Sequence, residues 1–225
     1  MAGTITALTA QKKKTGGKAR VNVYLDGKFA FGLAAIEAVR LKRGQVLSDA
    51  DIERLQLTDN VERAHEKALS FLSIRPRSEW EVRQNLRKAD YETGAIDRVV
   101  ERLRGVNLID DAAFARYWID NRTQFRPKGQ LALRQELRRK GIEPDVIDAA
   151  LGEVSAGDEQ AALQAALTKA DRYRNLSRPE FAQKLGAHLA RRGFDYETVR
   201  AAVQAAWQQL HPDRTASIEM DDFEG

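Results

Sequence analysis

The sequence predicts a mainly α-helical protein with three tandem three-helix repeats, elongated and curved, behind a small N-terminal β-hairpin or three-strand region. The first observation is an internal repeat: an Arg-Pro pair recurs at intervals of 51 and 52 residues, at Arg75-Pro76, Arg126-Pro127 and Arg178-Pro179. The second is a leucine ten residues after each proline, at Leu86, Leu137 and Leu189. The third is Asp26-Gly27, which lies between two runs of alternating apolar residues. A fixed period of this length indicates an array of one supersecondary unit.

These patterns divide the chain into five parts. Alternation with a period of two ends before the first repeat, and helical periodicity ends after the third. We therefore expect a β-rich region with one or two short helices at 1–58, repeats at 60–105, 108–152 and 158–210, and a disordered acidic tail at 211–225.

The N-terminal region is predicted to contain a hairpin. Val21, Val23 and Leu25 alternate with polar residues before Asp26-Gly27, and a type I′ turn requires the positive φ angles that this pair tolerates. Thr4–Leu8 is a candidate third strand. Two short helices are expected to cover the strands, at Ala34–Val39 and at Asp49–Leu57, the second capped by Ser48.

In the first repeat, helices are predicted over His65–Ser73, from Ser78 to Ala89 and over Glu92–Arg104. The second begins with a capping box, because Ser78 is followed three residues later by Glu81. The left-handed position after this helix is expected at Asp90, and its counterparts are Gly141 and Gly193.

The other two repeats follow the same plan. In the second repeat, Asp110 or Asp111 is expected to cap the first helix, and the next two helices are predicted over Pro127–Lys140 and Pro144–Leu151. In the third repeat, the first helix is predicted over Glu159–Arg174 and the second begins with a capping box at Ser177. The last helix, Tyr196–Leu210, is expected to be capped by Asp195. Pro127 is expected in the first turn of its helix, where a missing N–H has no partner to lose. Leu133 and Leu137, one turn apart, should form a buried stripe.

Composition narrows the class of protein. The chain has no cysteine, which excludes disulfides and cysteine-ligated zinc, and it has no apolar run of membrane-spanning length. Charged residues make up 31% and aromatic residues 7%, as expected for a well-solvated helical protein. We therefore expect a cytoplasmic protein that does not bind membranes and needs no cofactor.

Several motifs resemble the RecX family, the bacterial regulators of the RecA recombinase. The first repeat carries Ala68-Leu69-Ser70-Phe71-Leu72-Ser73, Arg75-Pro76-Arg77-Ser78 and Glu81-Val82. The second carries Leu108-Ile109-Asp110-Asp111, Phe114-Ala115, Trp118, Arg122, Pro127-Lys128-Gly129 and Glu136-Leu137-Arg138-Arg139-Lys140-Gly141-Ile142. The third repeat departs most from these motifs. Glu180 stands where the first two repeats have Arg77 and Lys128, and Gln183 stands where they have Trp80 and Leu131.

The resemblance implies tandem three-helix repeats and a non-catalytic, monomeric regulator. Such a protein would bind RecA or its filament on single-stranded DNA and inhibit filament extension, ATP hydrolysis, strand exchange and coprotease activity. A second hypothesis is a helical module that binds single-stranded DNA directly, because small tri-helical units often dock on DNA.

Basic residues are the candidate partner-binding site. Guanidinium and ammonium groups bind carboxylates and phosphates, and they are concentrated in the second repeat. The candidates are Arg122, Arg126, Lys128, Arg134, Arg138, Arg139 and Lys140, with Arg75 and Arg77 in the first repeat and an auxiliary basic loop at Lys12, Lys13, Lys14 and Lys18.

Other residues favour structural interpretations. Arg75 and Arg77 are expected to hold the last carbonyls of the preceding helix as well as to be candidates for binding. Asp110 and Asp111 are interpreted as helix caps, and no metal site is predicted. Trp80, Trp118 and Trp207 are expected in the core. No nucleophile and base are paired in a pattern typical of an enzyme.

Overall fold

The computed structural model describes residues 2–11, 19–153 and 158–212. The chain forms two compact units, Met1–Ile109 and Asp110–Gly225. Lys12, Lys13, Lys14 and Lys18 lie outside the described residues, as do residues 213–225 of the predicted acidic tail.

The first unit begins with an antiparallel sheet. Its strands are β1 (Gly3–Ala10), β2 (Arg20–Leu25), β3 (Lys28–Ala34) and β4 (Val46–Leu47), in the order β3-β2-β1-β4. Asp26 and Gly27 have φ angles of 48° and 81°, which confirms a turn with two positive φ angles. The prediction missed β4, because two residues are too few to show alternation.

Helix α1 (Ala35–Ala38) follows the hairpin and helps to cover the sheet. Ile5, Val23, Leu33 and Leu47 are buried at 2% exposure or less and form the centre of this small core. The side chains of Ala38, Ile52 and Leu55 pack into or against this core, so helices cover the apolar face of the sheet.

The prediction of two separate helices at 49–57 and 65–73 was wrong, because one helix, α2 (Asp49–Leu72), spans both. Ser48 caps it as predicted, and its Oγ accepts a 3.1 Å hydrogen bond from the Asp51 N–H. The polar Thr58-Asp59-Asn60 segment resembled a break. Instead, buried Asp59 accepts hydrogen bonds from Arg20 (2.7 Å) and from the Ala34 N–H (3.1 Å), which join the helix to the sheet.

The C-terminal half of α2 also belongs to the first repeat, with α3 (Glu79–Arg87) and α4 (Thr93–Gly105). The Ser78 capping box is present, and Asp90 adopts the left-handed conformation with a φ of 59°. Ile109 packs in this core as well, so the apolar cluster of the first repeat extends to the end of the first unit.

The second unit contains two three-helix repeats, each with its own core. Asp110 caps the first helix, and Gly141 and Gly193 adopt φ angles of 75° and 85°, as predicted. The helices are α5 (Asp111–Phe125), α6 (Gln130–Arg139) and α7 (Pro144–Gly152), then α8 (Asp158–Ala170), α9 (Arg178–Arg191) and α10 (Tyr196–Leu210). A 3-10 turn, Asp171–Tyr173, follows α8, which ends four residues before the predicted Arg174.

The prediction that Pro127 lies in the first turn of a helix was wrong, because α6 begins at Gln130. Residues 127–131 instead pair with the loop after α9. The N–H groups of Gly129 and Leu131 donate to the carbonyls of Arg192 (3.0 Å) and Gly193 (3.2 Å), and the Arg192 guanidinium donates to the Pro127 carbonyl (2.9 Å). The backbone of the second repeat is thus joined directly to that of the third.

Candidate functional site

Glu136 lies at the centre of the basic region of the second repeat. Its carboxylate accepts hydrogen bonds from the Trp118 indole N–H (2.8 Å), from Arg122 Nε (2.9 Å) and from Lys128 Nζ. The Arg122 guanidinium and the Lys140 ammonium lie over the Trp118 ring, at 4.3 and 4.9 Å from its centroid. Three of the predicted partner-binding cations therefore form contacts inside the repeat.

The electrostatics of this cluster stabilise ionised Glu136. Burial opposes its charge, but hydrogen bonds from Arg122, Lys128 and Trp118 outweigh that effect and hold its pKa below the ordinary value of 4.5. The carboxylate holds α5, the loop before α6 and α6 itself together. Arg122 and Lys128 therefore help to stabilise the fold of the second repeat.

Arg134 also has an internal partner. It forms an ion pair with Asp148, which connects α6 to α7. In the first repeat, Arg83 and Asp97 stand at the matching positions and form the same connection between α3 and α4, with a separation of 2.5 Å. Because the contact recurs in both repeats, it belongs to their common scaffold.

The remaining cations of the region are accessible. Arg126, Arg138 and Arg139 are exposed, and within the described residues they form no ion pair. Arg126 follows α5, whereas Arg138 and Arg139 lie in the last turn of α6. Positive charge there also interacts favourably with the C-terminal end of the helix dipole. These three guanidinium groups can bind an acidic partner without breaking a contact within the repeat.

Arg75 and Arg77 contact residues other than those predicted. Arg75 donates two hydrogen bonds to Glu81 (2.9 and 3.2 Å) and one to the Pro76 carbonyl (2.7 Å). The Arg77 guanidinium lies 4.0 Å from the centroid of the Phe71 ring. The contacts of Arg75 lie at the start of α3 instead of at the last carbonyls of the preceding helix, whereas that expectation stays a prediction for Arg77.

The sequence interpretation was also wrong for Trp80, which is 44% exposed instead of lying in the core. It lines a shallow pocket of about 270 Å³ with Phe71, Gln84, Asn85 and Lys88. Trp118 is half-buried and Trp207 is buried.

Asp110 functions as a helix cap, as its position predicted. Its carboxylate accepts a 2.9 Å hydrogen bond from the Ala113 N–H. Among the residues that the structure describes, no three His, Asp or Glu side chains are grouped as metal ligands. The helices within the same ranges include none that is long and apolar enough to span a bilayer.

Four family models match consecutive parts of the chain, from the N-terminal region to the third repeat. The N-terminal domain of Regulatory protein RecX matches residues 3–48, and the first, second and third three-helix domains of RecX match residues 64–103, 110–151 and 157–203.

Proteins named Regulatory protein RecX are similar over most of their length. The protein of Bacillus licheniformis is 34% identical over 203 residues, which cover 89% of this chain and 76% of that protein. The protein of Bacillus subtilis is 35% identical over 202 residues, covering 88% and 75%. The protein of Listeria monocytogenes is 32% identical over 212 residues, covering 92% and 77%.

Two solved structures have the same fold. A crystal structure of regulatory protein RecX is 30% identical, has a TM-score of 0.70, and covers 92% of this chain and 99% of its own. RecX from Lactobacillus salivarius, 24% identical, shows the same fold with a TM-score of 0.61 over 66% of this chain and 97% of its own. From its repeats, its fold and these relatives, the chain belongs to the RecX family of regulatory proteins.

Proposed function

We propose that this protein is a non-catalytic, cytoplasmic regulator that binds RecA or the RecA filament on single-stranded DNA. It acts as a monomer and inhibits filament extension, ATP hydrolysis, strand exchange and coprotease activity. The observation that supports this proposal most strongly is the match to all four RecX domains along the chain.

The accessible cations of the second repeat supply the partner-binding surface in this proposal. Arg126, Arg138 and Arg139 have no internal partner among the described residues, so binding does not require an existing ion pair to break. The other predicted cations would contribute by stabilising the repeats to which they belong. They are Arg122, Lys128, Arg134 and Lys140 in the second repeat and Arg75 and Arg77 in the first. The basic loop at 12–18 remains an auxiliary candidate.

The experiment is RecA ATP hydrolysis on single-stranded DNA, measured while the protein is titrated in. We expect inhibition by the native chain. We expect a loss of at least about tenfold in inhibitory potency for Arg126→Gln/Arg138→Gln/Arg139→Gln, because three charge-assisted contacts, each contributing about 0.5–1 kcal/mol at an exposed surface, would be removed.

The matched control is Arg63→Gln/Arg98→Gln/Arg172→Gln. It removes the same net charge at exposed arginines that have no ion pair within the described ranges. Equal inhibition by both triple variants, with unchanged helical circular dichroism, would rule out the surface. Unchanged ATP hydrolysis at a severalfold excess of the native chain over RecA would contradict the proposed function.

A direct single-stranded DNA-binding function is the second candidate, and exposed Trp80 favours it. Its ring lies in the same pocket as Lys88, and nucleotide bases stack on exposed aromatic rings beside cations. The two functions are separated by comparing salt-dependent binding to bare single-stranded DNA with binding to RecA alone. Tight DNA binding without an effect on RecA would favour the second.

A further inference from the structure

The third repeat contains an apolar cleft of about 480 Å³ between α9 and α10. Phe181, Val199, Val203 and Trp207 line its floor, and Tyr196, which is 74% exposed, lies on its rim. An open apolar cleft of this volume can accept several large side chains of a peptide segment.

The cleft lies where the other repeats have an ion pair between their second and third helices. Arg83 pairs with Asp97 in the first repeat, and Arg134 pairs with Asp148 in the second. The matching residues of the third repeat are Gly186 and Arg200, both of which line the cleft. Glycine leaves the space empty, and arginine replaces the carboxylate.

The charge around the cleft is therefore positive. Arg178 and Arg200 are both exposed and both line the cleft. Arg200 has Glu197 at 3.7 Å, but both side chains are about 70% exposed, so this pair contributes little and leaves the guanidinium accessible. An apolar floor with arginines on its rim is complementary to a segment in which carboxylates and apolar side chains are interleaved.

Such a segment follows α10 directly. Residues 213–225 contain three large apolar side chains among four closely spaced acids, namely Ile218, Met220 and Phe223 with Glu219, Asp221, Asp222 and Glu224. The segment starts beside the cleft, because His211 stacks on Trp207 at 3.9 Å and its Nε2 lies 3.1 Å from the Arg174 carbonyl oxygen.

The segment 213–225 is long enough to extend along the whole cleft. Ten extended residues span about 33 Å, whereas a helix of the length of α10 measures about 22 Å. Covalent attachment next to the cleft also gives the segment a high effective concentration, so that weak individual contacts are enough for binding.

We propose that the cleft between α9 and α10 binds the chain's own segment 213–225, with its apolar side chains on the floor and its carboxylates at Arg178 and Arg200. This inference is independent of the proposed action on RecA. It gives the third repeat a role of its own, which depends on Gly186 and Arg200, the two residues that replace the ion pair of the other repeats.

Disulfide trapping in the full-length chain tests the proposal, because the chain has no native cysteine. Ala182→Cys lies on the rim of the cleft, and Ser217→Cys leaves the apolar and acidic residues of the segment intact. We expect the intramolecular disulfide to form about tenfold faster than in the matched pair Ala201→Cys/Ser217→Cys, since Ala201 is exposed but does not line the cleft.

A second variant removes the cleft without removing the segment. Gly186→Arg/Arg200→Asp rebuilds the ion pair of the other repeats, and a side-chain Cβ at Gly186 meets only Val199 at 3.6 Å. In this background, the rate for the Ala182–Ser217 pair should fall to that of the Ala201 control. Equal rates for the two native-background pairs would overturn the proposal, as would a disulfide that forms only between two chains.

Discussion

The charged residues of the second repeat differ in what they contact. Glu136 holds Arg122 and Lys128, and Arg134 pairs with Asp148, so these cations stabilise the repeat. Arg138 and Arg139 lie on the same helix as Arg134 but extend into solvent. Whether a basic residue stabilises this repeat is therefore decided by whether it reaches Glu136, Asp148 or the Trp118 ring.

Glu136→Gln should lower the free energy of unfolding by about 1–3 kcal/mol at pH 7, since it removes a charged acceptor with three donors. The pKa of Glu136 is lowered in the folded state, so its contribution is present above the unfolded pKa and is lost as the pH falls through the folded value. The difference between native and variant proteins in urea unfolding should thus shrink as the pH is lowered below 4.5. If the difference in unfolding free energy between the two proteins stayed constant down to pH 3, Glu136 would not be the stabilising carboxylate.

Among the elements, the loop before α6 determines how the second and third repeats join. Gly129 and Gly193 approach so closely that a side-chain Cβ at Gly129 would overlap the Gly193 carbonyl. A glycine at 129 is therefore required by tertiary contact, although its own φ angle of −74° suits any residue. Gly193 is constrained twice, because a side-chain Cβ there would overlap Ala132 and because its φ angle is positive.

Gly129→Ala should destabilise the second unit by about 1–3 kcal/mol, because the backbone must shift and the hydrogen bonds to Arg192 and Gly193 lengthen. Gly94→Ala is the control: it lies inside α4, and a Cβ there meets nothing within 4 Å. The control should be neutral or stabilising by up to about 1 kcal/mol. Thermal unfolding measures both, and equal melting temperatures would disprove the close approach.

At the scale of the whole molecule, each of the two units contains separate small cores that polar contacts join. In the first unit, α2 connects the sheet to the first repeat, and Asp59 fastens it through Arg20 and the Ala34 N–H. In the second unit, the backbone pairing at residues 127–131 connects two repeats. Each unit is therefore stabilised by its connections as well as by its cores.

Asp59→Ala should destabilise the sheet by about 3 kcal/mol or more, since Arg20 loses its partner in a poorly solvated place and the Ala34 N–H loses its acceptor. Hydrogen exchange should accelerate in β2 and β3. The buried core of the first repeat should keep its protection, because α3 and α4 pack on the other half of α2. Asp59→Asn retains one acceptor oxygen and should be milder. Equal loss of protection in the sheet and the repeat would argue against separate cores.

The amino-acid sequence alone predicts the repeats, the left-handed positions, the hairpin turn and the helix caps at Ser48, Ser78, Ser177 and Asp195. It also identified the RecX family. These features depend on neighbours in the chain, so periodicity and local hydrogen bonding reveal them. The three-dimensional fold was needed to show which cations have internal partners, that Trp80 is exposed, that α2 is continuous and that Pro127 precedes its helix. Each of these depends on contact with a residue distant in the chain, which no local pattern encodes.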